Sequence, residues 1–415
     1  MSKNIVVIGG GIIGVSTAYY LQKEGYNVTV IDKSNMDSGA SYVNAGYITP
    51  SHFIPLAAPG MITKGIKWMF NASSPFYVKP RLDIDFLKWS LAFKKSATKA
   101  KVEKAIQPIL DINLLGRDLY EDLKKSNDFN FHYDHKGLLM LYKSDKVGEE
   151  EWEVGKKGIQ QGLKVEHLSA NEVEQLQPNT NLNIKGGVYY HSDAHMTPGV
   201  FMKEMISYLE KNGVVFYKNE TVTDLDVSSE KITKIVTDKR EIEVDEVVLA
   251  AGSWSPQITK KLGLKTPIQA GKGYSINVKN NTNITIPAIL CEAKVAVTPM
   301  EGFTRFAGTM EISGINNTIN SKRVDAIANA AQNYYQNVTI SNQEKENATC
   351  GLRPCSPDGL PYIGKSNSCK NLTVATGHAM MGWSLGPATG KLVSEIIADK
   401  KLSLDIASFH PDRKF

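Results

Sequence analysis

An α/β fold with a second, largely antiparallel part is predicted from three observations. Residues 4–32 read as strand, glycine turn, helix and strand. An apolar strand ends at Ala250-Ala251-Gly252, and residues from about Pro267 to Phe306 alternate in strand fashion. A chain of 415 residues has room for two or three domains and a large core.

Asn4 to Ile8 is an apolar, β-branched run of the kind buried on both faces of a parallel sheet. Glycines follow, then a helical pattern from about Ile12 to Glu24 that Gly25 stops. Val28 to Ile31 makes the next strand and ends at Asp32, which completes a βαβ unit. Tyr42 to Trp89 is rich in Pro, Gly and aromatics and brings no second βα repeat. A helical stretch is expected from about Phe86 to Lys125, interrupted near Pro108, with Ile112, Leu115, Leu119 and Leu123 as its apolar stripe. Ser169 and Glu172 have the spacing of a capping box, and that helix must stop before Pro178. Thr197-Pro198 opens a stronger helix with Phe201, Met205 and Leu209 on one face and Gly213 as its stop. Strands are expected at Val214 to Tyr217, in three short runs through Val244, and at Val247 to Ala251. Asp325 to Tyr335 reads as helix, and a glycine-rich stretch leads to a last helix from about Pro387 to Asp399.

With 48 Lys+Arg against 43 Asp+Glu, a formal charge of +5 is too small over this length to suggest a nucleic-acid partner. Cys291, Cys350, Cys355 and Cys369 form no CxxC pair and no histidine spacing suggests a metal site, so a reducing, cytoplasmic setting is expected. No stretch reaches the roughly 18 apolar residues of a spanning helix, and the opening reads as a strand rather than a signal peptide.

Gly9-Gly10-Gly11-Ile12-Ile13-Gly14 satisfies GxGxxG. Gly9 permits a tight turn, Gly11 lets the backbone approach a pyrophosphate, and Gly14 lets the helix pack closely on the sheet. The helix N-terminus offers N–H groups to the phosphates, and Asp32 would accept hydrogen bonds from ribose hydroxyls. A nicotinamide-binding domain would continue with further βα units after Asp32. This chain instead enters Ser38-Gly39-Ala40-Ser41, and the late Ala251-Gly252 turn supplies another close approach. A cofactor held from distant parts of the chain suits a buried flavin, with NAD as the alternative.

Several longer segments follow in a fixed order: SGASYVNAGYITP (Ser38 to Pro50), LAAPGMITKGIKWMF (Leu56 to Phe70), VVLAAGSWSP (Val247 to Pro256), GKGYSI (Gly271 to Ile276), FAGTMEISG (Phe306 to Gly314), GLRPCSPDGLPYIG (Gly351 to Gly364) and GHAMMGWSLGPATGKL (Gly377 to Leu392). With GGGIIG they make nearly the whole chain resemble the D-amino acid oxidase superfamily of flavoproteins, and within it the bacterial D-amino acid dehydrogenases. The resemblance implies a Rossmann-like FAD-binding domain, placed at residues 1–50, 190–262 and 350–415. It also implies a discontinuous, largely antiparallel substrate domain at 51–189 and 263–349. It implies oxidative deamination of a small amino acid, by hydride transfer from Cα to flavin N5 and hydrolysis of the imine. FAD is expected to be non-covalent, because no attachment motif is evident.

By the same resemblance, Arg353 in the GLRP turn should bind the substrate carboxylate through a bidentate pair; pairing with Asp358 is the structural alternative. Glycine oxidases carry a second arginine after their GH motif, where this chain has Gly377-His378-Ala379-Met380-Met381. Tyr274 could supply that second contact or be a packed strand tyrosine, and His52 is a candidate for the pocket lining. His195 precedes an N-cap and reads as a solvent-facing or helix-end histidine. Gly382, Trp383 and Ser384 should present a helix N-terminus to the flavin pyrimidine edge. Val222 matches the adenine contact, and His378 is expected beside the flavin. The remaining expected cofactor contacts are Gly9, Gly11, Ile12, Ile13, Gly14, Asp32, Lys33, Ser38, Gly39, Ala40, Ser41, Asn44, Ala45, Gly46, Ala251, Gly252, Trp254, Gly351, Arg353 and Gly377.

The family dehydrogenases imply a quinone or another carrier as electron acceptor. Ala57 to Phe70, apolar with Lys64 and Lys67, is either a peripheral membrane contact on the inner face of the cell membrane or a helix covering the active site. Rival readings are a cyclic or secondary amine substrate (D-proline, hydroxyproline, sarcosine) and a flavin-binding protein without turnover.

Overall fold

The structure, a computed structural model, describes residues 2–57 and 74–415. Residues 58–70 of the expected covering or membrane-contacting segment lie outside the described residues.

A six-stranded sheet runs in the order Val215–Tyr217, Asn27–Ile31, Asn4–Ile8, Glu246–Leu249, Leu372–Thr376, Tyr362–Lys365. Its first five strands are parallel and Tyr362–Lys365 is an antiparallel edge. The opening strand is apolar from Ile5 to Ile8 because both its faces are covered there. Ile5 and Val7 enter a core shared with helices Ile12–Lys23 and Gly382–Ile397, which pack together. Val6 and Ile8 enter a second core, closed by the antiparallel strands Val222–Ser228, Lys231–Thr237 and Glu241–Glu243.

The second large sheet is mostly antiparallel. Its main path runs Thr349–Cys355, Gln269–Val278, Phe303–Ile312, Val295–Met300, Ala288–Leu290, Leu138–Tyr142, Gly186–Tyr190, Val165–Ser169. Helix Ser321–Tyr334 packs on its central strands and helix Asp145–Gln160 on its far end. A small sheet of Tyr47–Ile48, Ala194–Met196 and Tyr133–Asp134 lies beside these two.

Local signals behave as their chemistry dictates. Ser169 and Glu172 form a reciprocal capping box, and Pro198 sits in the first turn of helix Pro198–Lys211. Two proline expectations are corrected. The break expected near Pro108 falls at Ala97-Thr98, where the Thr98 side chain caps helix Lys99–Lys125, and that helix runs through Pro108. Burial of Val102, Ala105, Ile106, Ile109 and Leu110 outweighs the roughly 3 kcal/mol that an interior proline costs, and the carbonyl it releases, on exposed Lys104, can meet water. The last helix starts at Gly382, where the resemblance places its N-terminus, rather than near Pro387, where the local pattern places it. The carbonyl that Pro387 would have occupied, that of Trp383, accepts the buried Tyr120 hydroxyl at 2.8 Å instead.

Candidate active site

A cavity of about 1490 Å³ runs from the carboxyl ends of the parallel strands onto the face of the second large sheet. At the first end the chain turns at Gly9 with φ +109°, a conformation that suits glycine alone. The Gly10 N–H donates to Asp32 Oδ2 at 2.7 Å, so the acid at the strand end also fixes the glycine turn. Asp32 Oδ1 accepts from the Ser34 N–H at 2.8 Å. The Ile12 N–H donates to Ser41 Oγ at 2.9 Å, the N-cap residue Gly11 has no side chain to cap the turn, and Gly11, Ile12 and Ile13 line the cavity, so the N-terminal end of helix Ile12–Lys23 faces it. Lys33 Nζ lies 3.4 Å from the Trp254 ring centroid, and burial lowers its pKa.

Farther along, the Ser38–Gly46 loop is tied to its surroundings by its backbone. The Arg305 Nη1 donates to the carbonyls of Tyr42 at 2.9 Å and Asn44 at 2.6 Å, Thr298 Oγ1 to that of Ala45 at 2.7 Å, and Trp383 Nε1 to that of Ser41 at 2.8 Å. Arg305 is buried without a carboxylate partner among the described residues, and desolvation lowers its pKa to about 10. Sequence reasoning missed this residue. The available signal was a cation between Thr304 and Phe306 in a strand whose other charged residue is Glu311.

Arg353 reaches the cavity from strand Thr349–Cys355. Its Nη1 donates to the Thr309 carbonyl at 2.8 Å, desolvation lowers its pKa, and no acid among the described residues pairs with it. The alternative pairing with Asp358 is overturned: Arg413 grips that carboxylate, Nε to Oδ2 at 2.7 Å and Nη2 to Oδ1 at 2.9 Å. The neighbouring strand passes so close that a Cβ at Gly273 would stand 2.2 Å from both Arg353 terminal nitrogens.

Tyr274 lines the cavity, but its hydroxyl donates to Glu311 Oε2 at 2.8 Å, inside a buried group with Lys272 and Arg323. Its only proton is committed to a protein carboxylate, so the expected second contact to a substrate carboxylate is corrected to a packing and bracing role. His52 lines the cavity and desolvation lowers its pKa to about 4. His378 lines it too, with Nε2 3.0 Å from Thr389 Oγ1 and a pKa lowered by burial to about 3. His195 is not solvent-facing: it is 1% exposed in strand Ala194–Met196, against the His132 ring.

The cavity wall also carries Gly11, Ile13, Ser38, Gly39, Ala40, Asn44, Ala45, Val222, Ala251, Gly252, Gly351, Gly382 and Trp383. Gly14, Gly46, Gly377 and Ser384 stand behind that wall, where Ser384 Oγ accepts the Thr49 N–H at 2.6 Å. Glu220, which the sequence reading passed over, lines the nucleotide end and accepts from Thr237 Oγ1 at 2.7 Å. Helix Gly382–Ile397 also begins without a side-chain cap, so a second helix N-terminus meets the cavity. A Gly-lined turn and two helix N-termini on the cavity suit a long ligand with a pyrophosphate and an electron-accepting ring.

A family model described as FAD dependent oxidoreductase matches residues 4–396. The chain belongs to this family. It is an FAD-dependent oxidoreductase, and the turn, the Ser38–Gly46 loop and the two helix ends are the groups that would hold FAD. The chain is 32% identical to a D-amino acid dehydrogenase of Helicobacter pylori over 96% of each chain. It is 29% identical to one of Vibrio vulnificus over 95% of this chain and 96% of the other. In fold it is similar to glycine oxidase from Geobacillus kaustophilus, with a TM-score of 0.79, 20% identity and full coverage of both chains. It is also similar to L-proline dehydrogenase from P. horikoshii, with a TM-score of 0.76, 18% identity and coverage of 99% and 97%.

Proposed function

We propose that this protein dehydrogenates the carbon–nitrogen bond of a small amino acid, with D-amino acids as the substrate class. The observation that carries this reading is Arg353, a half-buried, desolvated guanidinium on the cavity wall with no acid partner among the described residues. A substrate carboxylate would complete it in bidentate fashion and fix the plane of the Cα substituents. Bound FAD would supply the hydride acceptor. Gly273, Ala307 and Gly308 line the cavity with little or no side chain and so leave room above the sheet for a small substrate. Burial keeps His378 neutral, so no cation there competes with Arg353 for the carboxylate. The names of the relatives support the D-amino acid class.

The test is anaerobic mixing of the yellow protein with D- and L-amino acids. The visible flavin band should bleach with D-amino acids, and acid denaturation should release FAD into the supernatant. A flavin that no amine bleaches would remove the reading.

Electrons then pass to a quinone or another carrier, and the protein docks peripherally on the inner membrane face. Support comes from Leu82, Ile84, Leu87 and Leu91, which are 102%, 67%, 48% and 62% exposed, with exposed Lys88, Lys94 and Lys95 nearby on helix Ile84–Ser96. No helix among the described residues is long and apolar enough to cross a membrane. Anionic vesicles should sediment the protein, and an Ile84→Ser, Leu91→Ser double variant should weaken binding by about tenfold or more. Equal sedimentation of both proteins would count against this face.

A further inference from the structure

A continuous line of hydrogen bonds leads from the cavity to the protein surface, and the reading above leaves it unused. His52 and Ser51 both line the cavity. His52 Nδ1 lies 2.9 Å from Ser51 Oγ, and that hydroxyl donates to Asp193 Oδ2. The Ser51 N–H donates to Asp193 Oδ1 at 3.1 Å, and half-buried Ser192 gives its hydroxyl to the same oxygen at 2.8 Å. Asp193 is 0% exposed and has no cation within ion-pair distance among the described residues.

Because Ser51 gives its single proton to the carboxylate, His52 must donate from Nδ1, which leaves Nε2 as a lone pair. Hydride loss from Cα requires a neutral amine, whereas amino acids are mostly ammonium at neutral pH.

We propose that His52, Ser51 and Asp193 form a proton relay that removes the ammonium proton of the bound substrate and delivers it towards the surface through Ser192. The relay rests on the amino-acid reading above. His52 Nε2 takes the proton as its Nδ1 proton moves to Ser51 Oγ and the Ser51 proton moves to Asp193 Oδ2. The nitrogen keeps the electron pair that the N–H bond releases, so the substrate amine becomes neutral. After the product leaves, the carboxyl turns its proton from Oδ2 to Oδ1, Ser192 releases its own hydroxyl proton to water, and its Oγ takes the Asp193 proton in exchange. His52 recovers its starting tautomer by exchange with water in the cavity. One proton reaches solvent per turnover.

The electrostatics agree with this direction. Desolvation raises the Asp193 pKa to about 7 despite its hydroxyl donors and Arg117, so it can take up and give back a proton near neutrality. Tyr47 and Tyr190 also feel the Asp193 charge, while Lys294, paired with Glu151 at 3.2 Å, adds a positive charge that helps keep His52 neutral.

The test interrupts the middle of the line. In anaerobic stopped-flow mixing with a D-amino acid, Ser51→Ala should slow flavin bleaching by about 10²-fold at neutral pH. The rate should recover at alkaline pH, where the substrate amine is already neutral, and Ser51→Thr should keep the wild-type profile. Independently of turnover, infrared difference spectra of the wild-type protein should show a buried carboxyl that loses its proton near pH 7. That signal should be missing from Asp193→Asn. A wild-type pH profile in Ser51→Ala, or a carboxyl signal unchanged in Asp193→Asn, overturns the relay while leaving the amino-acid reading intact. A flavin that no amino acid bleaches takes both down.

Discussion

Arg353→Ala is expected to raise KM for amino-acid substrates by about 10²–10³-fold while the protein keeps its flavin. Truncating one partner of a buried, hydrogen-bonded charge pair costs roughly 2–5 kcal/mol, and most of that loss appears in substrate binding. Arg353 suits the role because among the described residues only its Nη1 finds an acceptor, the Thr309 carbonyl, and no acid neutralises it. Arg353→Lys keeps the charge but loses the planar fork, so its KM should fall between the two. Gly273→Ala offers a check that leaves the arginine in place. The new Cβ would lie 2.2 Å from both terminal nitrogens, so the flexible guanidinium must move while the strand stays. Steady-state kinetics beside the flavin absorbance would separate the outcomes. An unchanged KM in Arg353→Ala would end the assignment.

What was legible in the sequence, and what was not, divides along the range of the interactions. The βαβ opening, the Ser169 capping box and the Thr197-Pro198 helix start depend on residues a few positions apart, and their spacing carries them. The proline expectations failed because the deciding terms are tertiary: an apolar face buried around Pro108, and a Tyr120 hydroxyl that meets the carbonyl released by Pro387. The glycine turn, the Ser38–Gly46 loop and Arg353 could be read as separate motifs. Their joining could not. Arg305 holds the Tyr42 and Asn44 carbonyls from a strand more than two hundred residues later, and no local pattern announces such a partner. In the same way Asp358 looked like the natural neighbour of Arg353 until Arg413, near the far end of the chain, took it. Residue type pointed to chemistry, while partnership required the fold.

Gly14→Ala should abolish FAD retention and sharply lower the yield of folded protein. A Cβ there would stand 1.8 Å from the Gly9 carbonyl oxygen, a backbone atom that no rotamer change can move. Relief requires helix Ile12–Lys23 to lift off the sheet, and that helix is packed against helix Gly382–Ile397 through Ile12 and other core residues. The shift would carry the helix N-terminus away from the phosphate position and disturb the second helix end at the other side of the cavity, so one methyl group strikes two expected cofactor contacts. Gly25→Ala supplies the contrast. Gly25 also closes this helix and has φ +83°, but nothing lies within 4 Å of its missing Cβ. Only the left-handed strain remains, about 1–2 kcal/mol, and that variant should keep its flavin with a modestly lower Tm. Comparing FAD stoichiometry and thermal unfolding of the two variants distinguishes close approach from mere turn geometry. A Gly14→Ala protein that purifies with full FAD would show that the tight seat of the helix on the turn is not what holds the cofactor.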